Sequence, residues 1–260
     1  MSPIIELSLL KMGVSLSLVG VAILVSLRLG LAMERTLLWA TLRTVVQLVA
    51  AGYVVHALFA LDAPVPVFAV LVVMLGVAGW TGTARQPLSR RALYPVAVAS
   101  LLLGAGFTVF MVVNVIVGAR PWYDPQYMIP LGGMILGNSM NGVALGLERL
   151  ERELREGRKR VEVVLALGGS PAQATRNAEA QSVRAALTPT LNSMMVVGLV
   201  QLPGIMTGQI LAGGDPLVAV RYQMLVMFML LSGVSLSTAI AVRRAGRRYF
   251  TDAWQLVLPN

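Results

Sequence analysis

The chain has 260 residues, of which 57% are hydrophobic and only 13% are charged. A soluble domain carries about a quarter charged residues, so this composition excludes a soluble globular protein. The net charge of +9 does not indicate nucleic-acid binding, because basic residues at the ends of apolar segments are the usual orientation signal of membrane proteins. The lack of cysteine excludes disulfides, zinc thiolate sites and iron–sulfur clusters. We therefore expect an integral protein of a lipid bilayer that binds no nucleic acid.

Seven apolar segments are long enough to cross a bilayer, which requires about 20 residues at about 1.5 Å each. They lie near residues 5–27, 36–60, 65–81, 92–118, 126–147, 187–212 and 219–242. The sequence therefore predicts an all-α, polytopic helical bundle that forms a single domain over residues 1–260. Glu6 and Lys11 interrupt the first segment, so six spans with a peripheral first helix remain an alternative.

Basic residues are distributed unevenly between the two predicted sides of the membrane. The loops after the first, third, fifth and seventh segments contain nearly all of the arginines, including Arg28, Arg85 and Arg149, whereas the other side has Lys11 and two arginines. By the positive-inside rule, the N-terminus lies outside and the C-terminus lies in the cytoplasm. This orientation requires an odd number of spans.

The longest predicted cytoplasmic loop, at about residues 148–186, has the pattern of two helices joined by a glycine turn. Apolar residues recur at helical spacing along its first half; they are Leu147, Leu150, Leu154, Val161 and Leu165. Oppositely charged residues are also spaced to form i,i+4 ion pairs: Glu148–Arg152, Glu151–Arg155 and Glu156–Arg160.

The centre of this loop contains the signals that end one helix and begin another. Gly168 and Gly169 are suited to a helix C-terminus. Ser170, Pro171 and Gln173 supply an N-cap, a first-turn proline and a capping-box glutamine. We expect a rigid helix–turn–helix elbow on the cytoplasmic face; an amphipathic helix on the membrane surface is the alternative.

The sequence from Glu162 to Gln173 resembles the EAA loop of ABC-transporter permeases. In those permeases this loop forms a pair of coupling helices that docks into a groove on a cytosolic ATPase. The resemblance implies an ATPase-coupling role for Glu162, Leu167, Gly168, Gly169, Ser170, Pro171 and Gln173. Val163 and Val164 stand where that family usually has two alanines.

Nearly the whole chain is similar to the FetB family of iron-export permeases, which includes plant relatives linked to aluminium tolerance. The matching stretches are residues 43–48, 133–140, 197–208, 214–216 and 222–232. The resemblance implies a permease subunit of the bacterial inner membrane that exports iron or another metal cation. It also implies a permease homodimer and a cytosolic ABC ATPase as partners, and no cofactor.

The sequence contains no phosphate-binding Gly-x-x-x-x-Gly-Lys-Ser/Thr loop, so we expect that the chain is not an enzyme and that a separate chain hydrolyses ATP. Three alternatives stay open: an ABC importer permease, a secondary transporter or channel without an ATPase, and a membrane scaffold. A secondary transporter often carries an ionisable residue at mid-membrane, and none lies near the centre of the predicted spans.

Polar and thioether side chains within the predicted spans are candidates for a translocation pathway, because polar groups in a membrane tend to face a bundle interior or a cavity. Met134, Asn138 and Asn141 share one helical face. The complete candidate set is Met134, Asn138, Asn141, Met206 and Asp215. Thioethers suit Cu(I) better than Fe(II), although methionine is also ordinary packing material.

Ionisable side chains near the predicted spans have structural explanations as well as functional ones. Asp215 could pair with Arg221 as a clamp or attract a cation. Arg43 either extends to the interface or pairs with Glu34. With no cysteine and His56 as the only histidine, we expect no high-affinity metal cage within one chain; a weak site shared by two copies would suit transport.

Overall fold

The computed structural model describes residues 8–61, 63–84, 86 and 90–258. Within these ranges the chain is helical and contains no strand, only isolated bridges. Contacts divide it into two units: one is the N-terminal part up to Leu61 together with Leu211–Gly213, and the other takes the remaining residues. The expectation of a single domain stays a prediction.

The N-terminal unit contains helices α1 (Leu9–Leu29) and α2 (Glu34–Leu61). Gly30 ends α1 in the left-handed conformation, with φ of 62°, which glycine adopts without strain. Ser26 Oγ donates a hydrogen bond of 2.7 Å to Glu34 Oε1 and so joins the end of α1 to the start of α2. No ion pair joins Glu34 to Arg43 in the described part of the chain, so the pairing, one of the two alternatives for Arg43, is not found.

The second unit begins with α3 (Pro64–Gly82) and α4 (Arg90–Leu101). The helix of α4 continues through a π-helical segment (Leu102–Gly106), α5 (Phe107–Met111) and a second π-helical segment (Val112–Val117). Then follow α6 (Pro125–Glu156), α7 (Arg158–Ala166), α8 (Pro171–Val196), α9 (Gly204–Leu211) and α10 (Pro216–Gly246), with a 3-10 turn over Arg247–Tyr249.

Small residues allow α10 to pack closely against its neighbours in this unit. A Cβ on Gly142 of α6 would lie 2.6 Å from Val234 Cγ1, and one on Gly104 would lie 2.4 Å from the backbone nitrogen of Ser237. Glycine at helix contacts permits the close backbone approach that is typical of membrane helix packing. The core of the unit is therefore built around α10, with α6 and α8 packed along it.

Among the described residues, five helical segments are long and apolar enough to cross a membrane: Leu10–Leu29, Glu34–Leu61, Pro64–Gly82, Arg91–Val117 and Pro216–Tyr249. They correspond to the first four predicted spans and the seventh. Residues 5–7 of the first predicted span, and Arg85, lie outside the described residues. The count of seven spans and the N-outside orientation stay predictions.

The fifth and sixth predicted spans differ from simple membrane helices. The fifth, residues 126–147, lies inside α6, which continues without interruption to Glu156. The sixth, residues 187–212, is not one helix: α8 ends at Val196 and α9 begins at Gly204. The prediction of a continuous sixth span is therefore wrong, because the sequence of residues 197–203 forms an irregular turn.

Candidate functional site

The turn between α8 and α9, residues 197–203, is called the helix break below. Gly198 has φ of +82°, a conformation that favours glycine. The turn satisfies its own backbone donors: Gly198 N–H donates to Gln201 O at 2.9 Å, and Val200 N–H donates to Val196 O at 2.9 Å. Pro203 has no N–H to donate, and α9 begins at the next residue. The break is therefore a defined turn between two half-helices.

A cavity of about 400 Å³ lies between the break, α6, α8 and α10. We call it the amide cavity, because its polar lining consists of neutral amide and hydroxyl groups. These polar residues are Asn138, Asn141, Thr190, Ser193, Gln201 and Gln223. Met134 also lines it. The structure thus brings together the three candidate pathway residues of α6 on one wall.

Two amide side chains of this cavity present oxygen atoms that have no hydrogen-bond partner in the described part of the chain. Asn138 Nδ2 donates to Met134 O at 2.8 Å, so the side-chain oxygen is the group left for a ligand. Gln223 is buried, and its Oε1 has no hydrogen-bond partner among the described residues. A buried acceptor without a partner lowers the stability of the fold by about 1–3 kcal/mol. Such an acceptor is typical of a residue that has a role in binding.

Sequence reasoning did not select Gln223, Thr190 or Ser193 as candidate residues. Gln223 could have been found, because it is the only amide side chain in the apolar segment 219–242. Thr190 and Ser193 have no such signal, since hydroxyl side chains commonly bond to the backbone of their own helix.

A second cavity, of about 360 Å³, lies beside the first, and Gln223 and Met227 line both. Its wall contains four methionines, and we call it the methionine cavity. They are Met194, Met206, Met224 and Met227. Met206 was predicted to belong with Met134 in one pathway, and the structure places it in this neighbouring cavity instead.

Asp215 lines neither cavity. It is the N-cap of α10, and its carboxylate accepts a hydrogen bond of 2.8 Å from the backbone N–H of Leu217. No ion pair with Arg221 is present in the described part of the chain, so the predicted clamp does not form. A pathway role for Asp215 stays a prediction.

The elbow is formed by α7, the turn after it and the start of α8. Of the predicted ion pairs, Glu148–Arg152 (3.2 Å) and Glu151–Arg155 (3.0 Å) are confirmed. The pair Glu156–Arg160 does not form, because the helix is interrupted at Gly157 between the two residues. The described residues instead pair Arg158 with Glu162 at 2.7 Å and Arg149 with Glu153 at 2.6 Å.

The predicted apolar stripe faces the interior as expected. Leu147, Leu150, Leu154 and Val161 are buried, and Leu165 is half-buried. The interruption at Gly157 therefore changes the course of the chain without turning this stripe to the surface.

The glycine turn of the elbow has the geometry that its sequence predicted. Gly168 adopts φ of +84°, and a Cβ on Gly169 would lie 2.8 Å from Val164 O. Ser170 Oγ accepts from the backbone N–H of Gln173 at 3.4 Å, and Gln173 Oε1 accepts from the backbone N–H of Ser170 at 2.8 Å. This is a complete capping box, with Pro171 in the first turn of α8.

The predicted coupling residues, from Glu162 to Gln173, lie in a single turn of the chain and the ends of its two helices. The turn displays an apolar side chain, since Leu167 is 83% exposed. The C-terminal segment folds beside α7: Ala253, Trp254 and Leu256 line a groove of about 520 Å³ together with Arg158 and Glu162. This surface combines charged and apolar groups, as protein–protein contact surfaces do.

Comparison with known proteins gives one family and several relatives. A family model described as an uncharacterised protein family, UPF0014, matches residues 9–250. The chain is 41% identical over 255 residues to UPF0014 membrane protein slr1647 of Synechocystis, covering 98% of both chains. It is 38% identical over 249 residues to the probable iron export permease protein FetB of Escherichia coli, covering 95% of this chain and 94% of that one.

A plant relative, ALUMINUM SENSITIVE 3 of Arabidopsis thaliana, is 32% identical over 248 residues and covers 95% of this chain and 89% of its own. No solved structure matches the chain. The resemblance to FetB is confirmed. The apolar helices and the relatives named as membrane proteins together show that this is a multi-pass helical membrane protein.

Proposed function

The chain belongs to the UPF0014 family, and from this premise we propose that it is the permease subunit of an ABC transporter that exports iron or another metal cation from the cytoplasm. In this proposal, the elbow binds a cytosolic ATPase and the two cavities form part of the translocation pathway. The relative FetB carries the name of a probable iron export permease, which supports the direction and the class of cargo.

The observation that carries the proposal is the course of α8. This helix begins at the capping box of the elbow and runs without interruption to Val196, where the helix break begins. Its 26 residues correspond to about 39 Å. A displacement of the elbow by an ATPase would therefore be transmitted along one continuous helix, which includes Pro189, to the wall of both cavities.

The depth of the helix break also supports a transport site. A Cβ on Gly146, two residues before Glu148, would lie 3.6 Å from Ala186 Cβ, so α6 and α8 are in contact at this level. From Ala186 to Val197 the helix rises about 16 Å, which is about half of a hydrocarbon core of about 30 Å. Transporters commonly bind substrates where helices are interrupted near the midplane.

The lining of the amide cavity suits a cation that must be released. Amide and hydroxyl oxygens are hard, neutral ligands, and the lining includes no carboxylate or imidazole. Among the described residues no cluster of three or more histidine or acidic side chains could hold a metal ion. Weak coordination by neutral oxygens would allow binding on one side of the membrane and release on the other.

The proposed transport can be tested in proteoliposomes that contain the permease with a candidate Walker-motif ATPase, inserted so that the ATPase lies on the outer surface of the vesicle. We expect ATP-dependent uptake of Fe(II) into the lumen, measured with a trapped fluorescent chelator. Asn141→Leu should reduce uptake by about 10–100-fold, because a hydrogen bond or ion contact worth about 1.5–3 kcal/mol is lost. ATP-dependent efflux from loaded liposomes would instead indicate an importer.

A matched control for this experiment is Asn114→Leu. Asn114, like Asn141, is an asparagine within an apolar helical segment. Its amide donates to Phe110 O at 3.1 Å, and it lines neither cavity. Fe(II) uptake by the Asn114→Leu variant should equal that of the wild type. Uptake that continues without the ATPase, or that is unaffected by Asn141→Leu, would contradict the proposal.

The proposed assembly contains two copies of the permease. At the helix break, Leu199 is 89% exposed and Val200 is similarly exposed. Irregular backbone at membrane depth is tolerated only where protein or a water-filled cavity covers it. We propose that the second copy covers the break.

The absence of cysteine makes this assembly directly testable. In a Leu199→Cys variant, each chain has one thiol, so a bifunctional maleimide can link only separate chains. We expect a covalent dimer in membranes. Val72→Cys on α3, at a site that is 65% exposed, should remain monomeric under the same conditions. Equal cross-linking of the two variants, or of neither, would reject the break as the interface.

A further inference from the structure

The methionine cavity gathers thioether groups from three separate segments of the chain. Met194 lies near the end of α8, Met206 lies in α9, and Met224 and Met227 are one turn apart on α10. The chain has 14 methionines, and four of them line this single cavity of about 360 Å³. Beyond the helix break, Met206 of α9 lines the same cavity as Met224 and Met227 of α10.

These methionines are not packed as core residues. A methionine that serves packing fills the space around it, as Met229 does, with 2% of its surface exposed. Met224 is 48% exposed, and Met194, Met206 and Met227 are only partly buried around open space. Their side chains are therefore available to a ligand.

The lining of the cavity defines the chemistry of that ligand. Its potential donor side chains are the four thioethers and Gln223, whose buried Oε1 lacks a partner among the described residues. Thioethers are soft ligands that select Cu(I), whereas Fe(II) is served by imidazole and carboxylate. All five groups are neutral. Soft thioether donors distinguish this lining from the hard amide and hydroxyl oxygens of the amide cavity, so this set favours a soft cation.

We propose that the methionine cavity is a binding site for a soft monovalent cation, Cu(I) or its analogue Ag(I). The proposal of a binding site is argued only from the residues of the cavity. The use of this site for transported cargo rests on the proposed function. Gln223 and Met227 also line the amide cavity, so these two residues form a wall that the two cavities share.

Binding can be measured on the purified full-length chain in lipid nanodiscs, without an ATPase. Cu(I) is kept reduced with ascorbate and titrated against a chromogenic Cu(I) chelator, and Ag(I) is titrated in parallel. We expect one ion per chain and sulfur scattering in the copper X-ray absorption spectrum. Replacing Met194, Met206, Met224 and Met227 together with leucine should weaken binding by more than about 100-fold, beyond the effect of losing an outer-shell partner.

Leucine nearly conserves the volume of methionine, so the variant is expected to fold, as checked by its elution profile and thermal transition. If it does not, the double variant of Met206→Leu and Met227→Leu gives the same comparison. Met229→Leu, which changes a packed methionine in the same helix, should bind as the wild type does. Absence of Cu(I) and Ag(I) binding to the wild type, or equal binding by the multiple variant and the wild type, overturns the proposal.

This experiment and the transport assay can fail independently. Loss of Cu(I) binding with intact ATP-dependent Fe(II) uptake would reject the methionine site and leave the transporter assignment standing. Cu(I) binding without any ATP-dependent transport would retain the site and reject its use for cargo.

Discussion

Gly104→Ala is expected to lower the thermal transition of the purified protein by about 10 °C. The new methyl group would lie 2.4 Å from both the backbone nitrogen and Oγ of Ser237. Because one contact is with the backbone of α10, a rotamer change cannot relieve it, and α10 must move. Overpacking of this kind costs about 3 kcal/mol at the upper end of its usual range, and about 2–4 °C per kcal/mol applies to chains of roughly this size.

A control for this substitution is available in the same π-helical segment. A Cβ on Gly106 would lie 3.5 Å from Leu102 Cδ1, which is ordinary van der Waals contact. Gly106→Ala should therefore leave the transition unchanged or raise it slightly, because alanine loses less backbone entropy than glycine in a helix. Equal transitions for the two variants would show that α10 does not approach Gly104 as closely as the structure indicates.

Glu162→Lys is expected to remove most ATPase binding while the permease remains folded. Glu162 is exposed beside the glycine turn and is paired with Arg158 at 2.7 Å. Reversing its charge places two like charges together on the proposed docking surface, and such a change at a charged contact costs about 2–5 kcal/mol when the pair is buried by the partner. The amount of ATPase that co-purifies with the permease should fall by at least about tenfold.

Glu148→Lys is the matched control, because Glu148 forms a similar exposed i,i+4 pair with Arg152 but lies on α6, away from the turn. Its effect on the stability of the helix should be comparable, at about 0.5 kcal/mol, and its ATPase binding should be unchanged. If Glu162→Lys binds and stimulates the ATPase as well as Glu148→Lys does, the coupling site lies elsewhere on the cytoplasmic surface.

Hydrogen bonds and ion pairs between residues that are close in the sequence were predicted from the sequence. The capping box of Ser170 and Gln173 forms as expected, because its two hydrogen bonds join residues three apart. The pairs Glu148–Arg152 and Glu151–Arg155 form for the same reason. The third predicted pair failed at Gly157, where a Cβ would lie 2.7 Å from Glu153 O and the chain leaves one helix for the next.

The helix break shows why hydropathy was insufficient in the sixth apolar segment. Residues 197–203 read Val-Gly-Leu-Val-Gln-Leu-Pro, a composition as apolar as that of a membrane helix. Hydropathy measures transfer of side chains and contains no information on whether the backbone continues its helical hydrogen bonds. The glycine and the proline marked a possible break, but only the fold shows that the segment turns beside two cavities.

The opening inference from composition, a multi-pass helical membrane protein, was determined by the sequence alone, because burial of backbone polar groups in lipid leaves few alternatives to helices. The elbow was also determined locally, by caps and glycine within about ten residues. The tertiary structure decided which distant residues line the same cavity: Met194, Met206 and Met227 line one, and Asn138 and Gln223 line the other. These long-range arrangements depend on how the helices cross and on the helix break, and no local sequence pattern specifies either of them.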